Sequence, residues 1–262
     1  MAKLQDMFTR ARRAQSVGGI GFLGKGKSES KAHFAAIVVK FPRVTAGSAE
    51  AALKAGADGL LFTWDGKDAN KLVGLKQEIT SVRATNEDVV CGLHITGGWH
   101  TLDSDGLTHI KDHGMQYIIL PLDAPARLLA LDAKEVEKVI TVPMRSGDMY
   151  PLFIRNLATL DGIAAALLDF NLTDALATLT IEELLHYHTV REAVRYPAFI
   201  NVRSGLREVD AHTLKTLGVQ AVILTASDSE EATRQQIKEL RECLQKVHEE
   251  DKELPHPSIR KA

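Results

Sequence analysis

Leu217-Gly218-Val219-Gln220-Ala221-Val222-Ile223-Leu224 is written three more times in this chain with different letters. The other copies are Ala55-Gly56-Ala57-Asp58-Gly59-Leu60-Leu61-Phe62, His113-Gly114-Met115-Gln116-Tyr117-Ile118-Ile119-Leu120 and, degraded, Leu160-Asp161-Gly162-Ile163-Ala164-Ala165-Ala166-Leu167-Leu168. Each full copy reads as a helix end, a glycine, an apolar residue, a polar one and a buried strand. Glycine ends a helix because it enters the positive-φ region without a Cβ penalty, and an uninterrupted apolar run suits a strand covered on both faces. The glycines at 56, 114, 162 and 218 lie 58, 48 and 56 residues apart. Each interval holds two strand-plus-helix units, so four pairs make eight.

Outward from these junctions, apolar runs fall at 34–39, 59–63, 88–94, 116–120, 138–142, 163–168, 198–202 and 220–224. Between them lie helical stripes such as Leu72, Leu75, Ile79 and Val82, or Ile237, Leu240, Leu244 and Val247, spaced three and four apart. Thr180 followed by Glu183 fits a capping box, and Pro125 and Pro151 suit first helical turns. The fourth and fifth helices have room only to be short. Strand and helix alternating eight times predict an α/β chain closed as a single (β/α)8 barrel over residues 34–248, with an open doubly wound sheet as the alternative. Residues 1–33 form an N-terminal extension with a basic, helix-compatible start (Lys3, Arg10, Arg12, Arg13), placed to cover the barrel bottom or to make a subunit contact in a homo-oligomer. Residues 249–262 read as a short polar tail.

Bulk properties narrow the partners. The 262 residues are 45% hydrophobic and 25% charged, with a formal net charge of −2, so no global field favours nucleic acid or an anionic membrane. Two cysteines, Cys91 and Cys243, and no apolar leader point to the cytoplasm, and no apolar run has the roughly 20 residues of a membrane span.

Gly21-Phe22-Leu23-Gly24-Lys25-Gly26-Lys27-Ser28 satisfies the phosphate-loop pattern of nucleoside triphosphatases letter for letter. Its context argues against that chemistry. Only Val17-Gly18-Gly19-Ile20 precedes it, and the next buried strand starts at Phe34, leaving scarcely a helical turn after Ser28.

In a barrel of this kind, function sits where the strands end and the following loops meet. Read there, the ends carry Lys40, Asp65 after Trp64, His94, Asp123, Arg145, Asp169, Asn201 with Arg203, and Thr225. Singly, each suits a turn, a cap or a surface ion pair. Together they line a polar, anion-accepting mouth. Lys40 closes the apolar run Ala36-Ile37-Val38-Val39, where desolvation lowers an amine's pKa and equips it as Schiff-base nucleophile or general acid. His94 is the natural proton shuttle. The loop Thr96-Gly97-Gly98-Trp99-His100 offers glycines for close ligand approach. A metal site drawn from Asp65, His94, His100 and Asp123 lacks any ligand signature, His109 with His113 and His186 with His188 fall on outer helices, and neither metal nor cofactor is expected.

The last quarter, Phe199-Ile200-Asn201-Val202-Arg203-Ser204-Gly205-Leu206-Arg207 through Leu224-Thr225-Ala226-Ser227, resembles the final two units of the phosphate-binding TIM-barrel superfamily, which includes indole-glycerol-phosphate synthase, tryptophan synthase alpha and sugar-phosphate aldolases. The resemblance implies that backbone N–H groups at Ser204-Gly205 and Thr225-Ala226-Ser227 hold a substrate phosphate. Lys40-Phe41-Pro42 is similar to the strand-one lysine segment of the synthases. The chain departs from the pattern at Asp228, Glu230 and Glu231, carboxylates that suit the helix dipole but repel a phosphate wanting the same N–H groups. The expected function is therefore a metal-independent lyase, isomerase or synthase acting on a small phosphorylated or carboxylated metabolite. Lys40 serves as acid or nucleophile, His94 or Asp169 as base, and Arg145 and Arg203 hold the anion. The alternative is a non-catalytic barrel acting as a binding or assembly module.

Overall fold

Eight strands form in the computed structural model, which describes residues 3–13, 31–131, 136–172 and 176–253; the Gly21–Ser28 match lies outside the described residues. They are β1 (Ala36–Phe41), β2 (Gly59–Trp64), β3 (Val90–Ile95), β4 (Tyr117–Pro121), β5 (Glu137–Pro143), β6 (Ile163–Asp169), β7 (Ala198–Val202) and β8 (Ala221–Thr225). Each pairs in parallel with its neighbour in sequence, and β8 pairs with β1, so the sheet closes into a barrel. Helix α1 (Leu4–Arg12) precedes it. The outer layer is α2 (Ser48–Ala55), α3 (Ala69–Thr85), α4 (Ser104–Asp112), α5 (Arg127–Ala130), α6 (Tyr150–Arg155), α7 (Ile181–Val194), α8 (Glu208–Thr216) and α9 (Glu230–Glu253). The helices after β4 and β5 are short, as the sequence requires. Thr180 and Glu183 form the reciprocal capping box of α7. Pro151 lies in the first turn of α6, whereas Pro125 sits one residue before the Ala126 N-cap of α5. Residues 249–253 continue α9 and are not a separate tail.

The repeated junction is a hydrogen-bonding device. Gly56, Gly114, Gly162 and Gly218 all have positive φ. In the three full copies the polar residue two positions on reaches across to the preceding strand: Asp58 accepts from the Ile37 N–H at 2.7 Å, Gln116 from Cys91 at 2.7 Å and Gln220 from Ala198 at 2.6 Å. The glycine carbonyl is met by an arginine from a neighbouring helix. Arg241 bonds Gly56, Arg83 bonds Gly114, and Arg191 bonds Gly218 through two nitrogens. Buried backbone groups at strand entrances must be satisfied, and the three copies share one solution. At the fourth copy the arginine of α5, Arg127, bonds the carbonyls of Leu102 and His100 instead, and Ala164 stands where the polar residue should be. There Lys138, 4% exposed, bonds the carbonyls of Leu129 and Leu131, and the β5–β6 register is irregular between Lys138 and Val139.

Strand alternation divides the core in two. Outward side chains pack under the helices, while Val38, Leu61, Val90, Tyr117, Ile119, Val139, Leu167, Phe199 and Ile223 fill the barrel interior. Helix α1 plugs the entrance end with Leu4, Met7, Phe8 and Ala11. Phe8 meets Phe199 edge-on at 5.4 Å, and Phe199 stacks with Tyr117 at 6.0 Å. The basic start of the chain thus folds as a plug. Arg12 bonds the Phe34 carbonyl, and the Leu4 N–H bonds Glu137. Each large apolar side chain so buried contributes about 1.5–3 kcal/mol. Gly92 is required by space: a Cβ there would lie 2.1 Å from the Tyr117 ring.

Two substitutions test this account. Arg191→Lys leaves the Gly218 carbonyl and Gln220 without a two-pronged donor and is expected to lower stability by about 1–3 kcal/mol in urea unfolding. Gly92→Ala forces the buried Tyr117 ring aside, with an expected loss of about 1–3 kcal/mol or more. Unfolding midpoints indistinguishable from the parent chain would refute both roles.

Candidate active site

Period-two alternation sets the inner wall of the mouth. The residues that follow the interior cluster by two positions are Lys40 on β1, Thr63 on β2, Pro121 on β4, Thr141 on β5, Asp169 on β6, Asn201 on β7 and Thr225 on β8, and on β3 His94 stands four positions after Val90 with the inward Gly92 between. Seven of these eight are polar, and they rest on the apolar filling beneath them. Lys40 and Thr225 are ladder partners, as are Thr63 and His94. Asn201 and Thr225 are exposed although they face inward, so the mouth opens to solvent on the β7–β8 side. Lys40, Thr63, His94, Thr141 and Asp169 are half-buried.

That environment shifts the titrating groups. Burial lowers the Lys40 amine below its ordinary range, and the Asp169 carboxylate opposes part of that shift. Burial, reinforced by the Lys40 charge, pushes the His94 imidazole down to about 4. Lys40, His94 and Asp169 therefore act on one another electrostatically. At neutral pH His94 is uncharged and able to donate from one nitrogen and accept at the other.

The remaining strand-end residues are distributed outside this ring. Asp65 organises its own loop: it accepts from the Lys67 and Asp68 N–H groups and pairs with Lys71 at 2.6 Å, which holds its carboxyl at about 2. Asp123 is exposed in the turn after β4. The Arg145 guanidinium lies 5.9 Å over the Tyr150 ring. Arg203, Ser204 and Gly205 are exposed beyond β7, with Gly205 at φ +80°. The glycines of the β3 loop meet chain rather than open space, since a Cβ on Gly98 would lie 2.6 Å from the Gly66 carbonyl. The β2 and β3 loops are thereby locked backbone to backbone.

The phosphate cup implied at the β8 loop is altered. The Ala226 N–H donates to the Lys40 carbonyl at 2.8 Å, and the Ser227 N–H to Thr233 Oγ1 at 2.9 Å. Ser227 Oγ donates to Gln236. Two backbone donors of the implied site are thus engaged within the protein, and Arg234 pairs with Glu230 and Glu231 beside them. A cleft of about 480 Å³ lies outside the ring between the β1 loop, α2 and the start of α9, lined by Pro42, Arg43, Asp228 and Arg234 among others. Asp65, His94, His100 and Asp123 do not come together as cation ligands; among the described residues the group close enough to share one is Glu208, His212 and Glu250, already engaged in ion pairs on the outer helices. Both cysteines are free, and burial raises the Cys91 thiol to about 12.

Thr63 and Thr141 are the ring members that strand-end reading passed over. Counting in twos from Leu61 and Val139 would have found them, because the last polar residue of a strand need not be the one facing inward.

No protein-family model matches the chain, and no curated protein does. Solved structures do match in fold. Phosphoribosyl anthranilate isomerase from Thermus thermophilus is 12% identical, with a TM-score of 0.55 over 81% of this chain and 99% of that one. A mutant tryptophan synthase alpha-subunit from Pyrococcus furiosus is 10% identical, with a TM-score of 0.54 over 81% and 97%. A native KDPGal structure is 13% identical, with a TM-score of 0.54 over 83% and 96%. The resemblance first carried by the last two strand–helix units holds for the architecture of the barrel.

The His94 environment has a measurable consequence. Its imidazole protonates near 6.5 when unfolded and at about 4 when folded, so the unfolded state binds more protons between those values and stability falls as pH drops through that window. The full effect is about 3 kcal/mol. Urea unfolding from pH 7 to pH 4 should show this loss, and H94Q should lack it; an equal pH dependence in both proteins would rule the assignment out.

Proposed function

We propose that the chain is a metal-independent enzyme of the lyase, isomerase or synthase type that acts on a small carbonyl compound bearing an anionic group. The observation carrying this reading is Lys40: a half-buried amine on the inner wall, its pKa lowered by burial, within electrostatic reach of Asp169. A structural ion pair has no need of an open mouth, a neutral histidine and a polar ring around it.

In this reading the Lys40 ammonium first hands a proton to the Asp169 carboxylate, which frees the amine to attack the substrate carbonyl carbon, and a C–N bond forms. After attack one N–H proton passes to the former carbonyl oxygen, the proton held by Asp169 removes that oxygen as water, and an iminium and the Asp169 carboxylate remain. The iminium accepts the electron pair of an adjacent C–C or C–H bond, the step that lyases and isomerases of this type share. His94, uncharged, hydrogen-bonds the carbonyl oxygen without adding a competing cation. Arg203 with the Ser204-Gly205 turn receives the anionic end. A carboxylate fits better than a phosphate there, because the β8 loop donors are engaged and Asp228, Glu230 and Glu231 stand close to them. The non-catalytic alternative keeps the same residues and treats Lys40 and Asp169 as an ion pair.

Borohydride reduction in the presence of pyruvate, glyceraldehyde or glyceraldehyde 3-phosphate is expected to add the carbonyl compound to Lys40, read by peptide mass spectrometry and absent in K40M. Trapping should increase with pH through the lowered amine pKa, since the free base is the nucleophile. No adduct with any of these carbonyl compounds would overturn the Schiff-base reading.

A further inference from the structure

Three polar atoms of the inner wall are left unpaired by the fold, and in the function proposed above His94 meets the carbonyl oxygen through its other ring nitrogen, Nε2. Thr63 Oγ1, His94 Nδ1 and Thr141 Oγ1 are shielded from solvent and have no hydrogen-bond partner among the described residues. Buried polar atoms are nearly always paired, because a dry unpaired group has given up its hydration for nothing in return. All three project from the inner face of β2, β3 and β5, in the ring that holds Lys40 and Asp169. Thr63 and His94 are adjacent across the β2–β3 ladder. The exposed members of the ring, Asn201 and Thr225, lie on β7 and β8, and β7 stands opposite β3 in the closed sheet.

The chemistry of the wall restricts what it can receive. A threonine hydroxyl both donates and accepts, and so does an uncharged imidazole across its two nitrogens. Carboxylate and phosphate oxygens only accept, and an apolar or aromatic surface does neither. Asp169 stands within electrostatic reach of Lys40, so the interior of the ring does not select a net anion. An alcohol group, donor and acceptor at once, matches all three atoms.

We infer that Thr63, His94 and Thr141 form a hydroxyl-recognition wall that binds the alcohol groups of a short, open-chain polyhydroxylated compound. Its carbonyl, on the function proposed above, faces Lys40. The recognition itself does not depend on the Lys40 reaction. A ligand without hydroxyls would leave the three atoms unpaired in a site it had made drier, which is how buried polar groups reject analogues that lack a matching group.

The probe is erythritol, which carries hydroxyls and no carbonyl, compared with butyraldehyde, which carries a carbonyl and no hydroxyl. Erythritol at tens of millimolar is expected to shift the His94 ring nitrogen resonances, identified by their loss in H94Q. T63V and T141V are expected to bind it about tenfold more weakly. Both variants should melt at or above the parent temperature, because an isosteric methyl replaces an unpaired hydroxyl. The inference is overturned by any of three results: no His94 shift with erythritol, undiminished binding in both valine variants, or a melting temperature lowered by several degrees in both. K40M separates this inference from the proposed function. Erythritol binding that persists in K40M while borohydride traps nothing on the parent chain defeats the Schiff-base reading alone, and trapping without erythritol binding defeats the wall alone.

Discussion

Closure of the barrel depends on satisfying the backbone where helices hand over to strands two, four, six and eight. At three of these points a glycine turns the chain, an arginine from a neighbouring helix takes the glycine carbonyl, and the polar residue two positions on takes an N–H of the strand before. Parallel strands have no hairpin to fix their register, so these clasps do it side chain to backbone. Where the clasp is missing, at Gly162, the register of β5 against β6 is irregular and a buried lysine takes over part of the task. The correlation runs in the direction expected if the clasp holds the register.

The same closure creates the conditions for chemistry at the opposite end. With α1 inserted beneath Tyr117 and Phe199, the lower interior is dry and apolar, and the polar ring stands on it. A lysine and a histidine placed there lose much of their hydration, which is why both are displaced toward their uncharged forms. Loop residues a few positions further on, such as Asp65 and Arg145, remain in water and find ordinary partners in Lys71 and Tyr150. Reactive character in this chain follows depth in the barrel more closely than residue type.

Much of this was legible beforehand. The four glycines, the eight apolar runs and the short fourth and fifth helices need only local rules, because a helix end and a covered strand are each decided within about ten residues. Lys40, His94 and Asp169 were also readable as the last inward positions of apolar runs. Asp65, Asp123 and Arg145 carry the same letters in the same kind of place, yet one or two residues of offset put them in loops. Thr63 and Thr141 went unseen because threonine is common in strands and nothing local distinguishes a hydroxyl that finds a partner from one left covered and unpaired.

By itself the sequence determined the number of units, their order, their parallel pairing and the end of the barrel at which to look, since periodicity and chain reversal are short-range properties. Tertiary structure alone decided which arginine meets which glycine, that the basic N-terminal segment is a plug, that Ala226 and Ser227 have their N–H groups engaged, and which side chains face one another across the mouth. Each of these joins residues brought close by closure of the sheet rather than by the chain between them. Pairing, burial and the pKa shifts that follow are properties of that closed space.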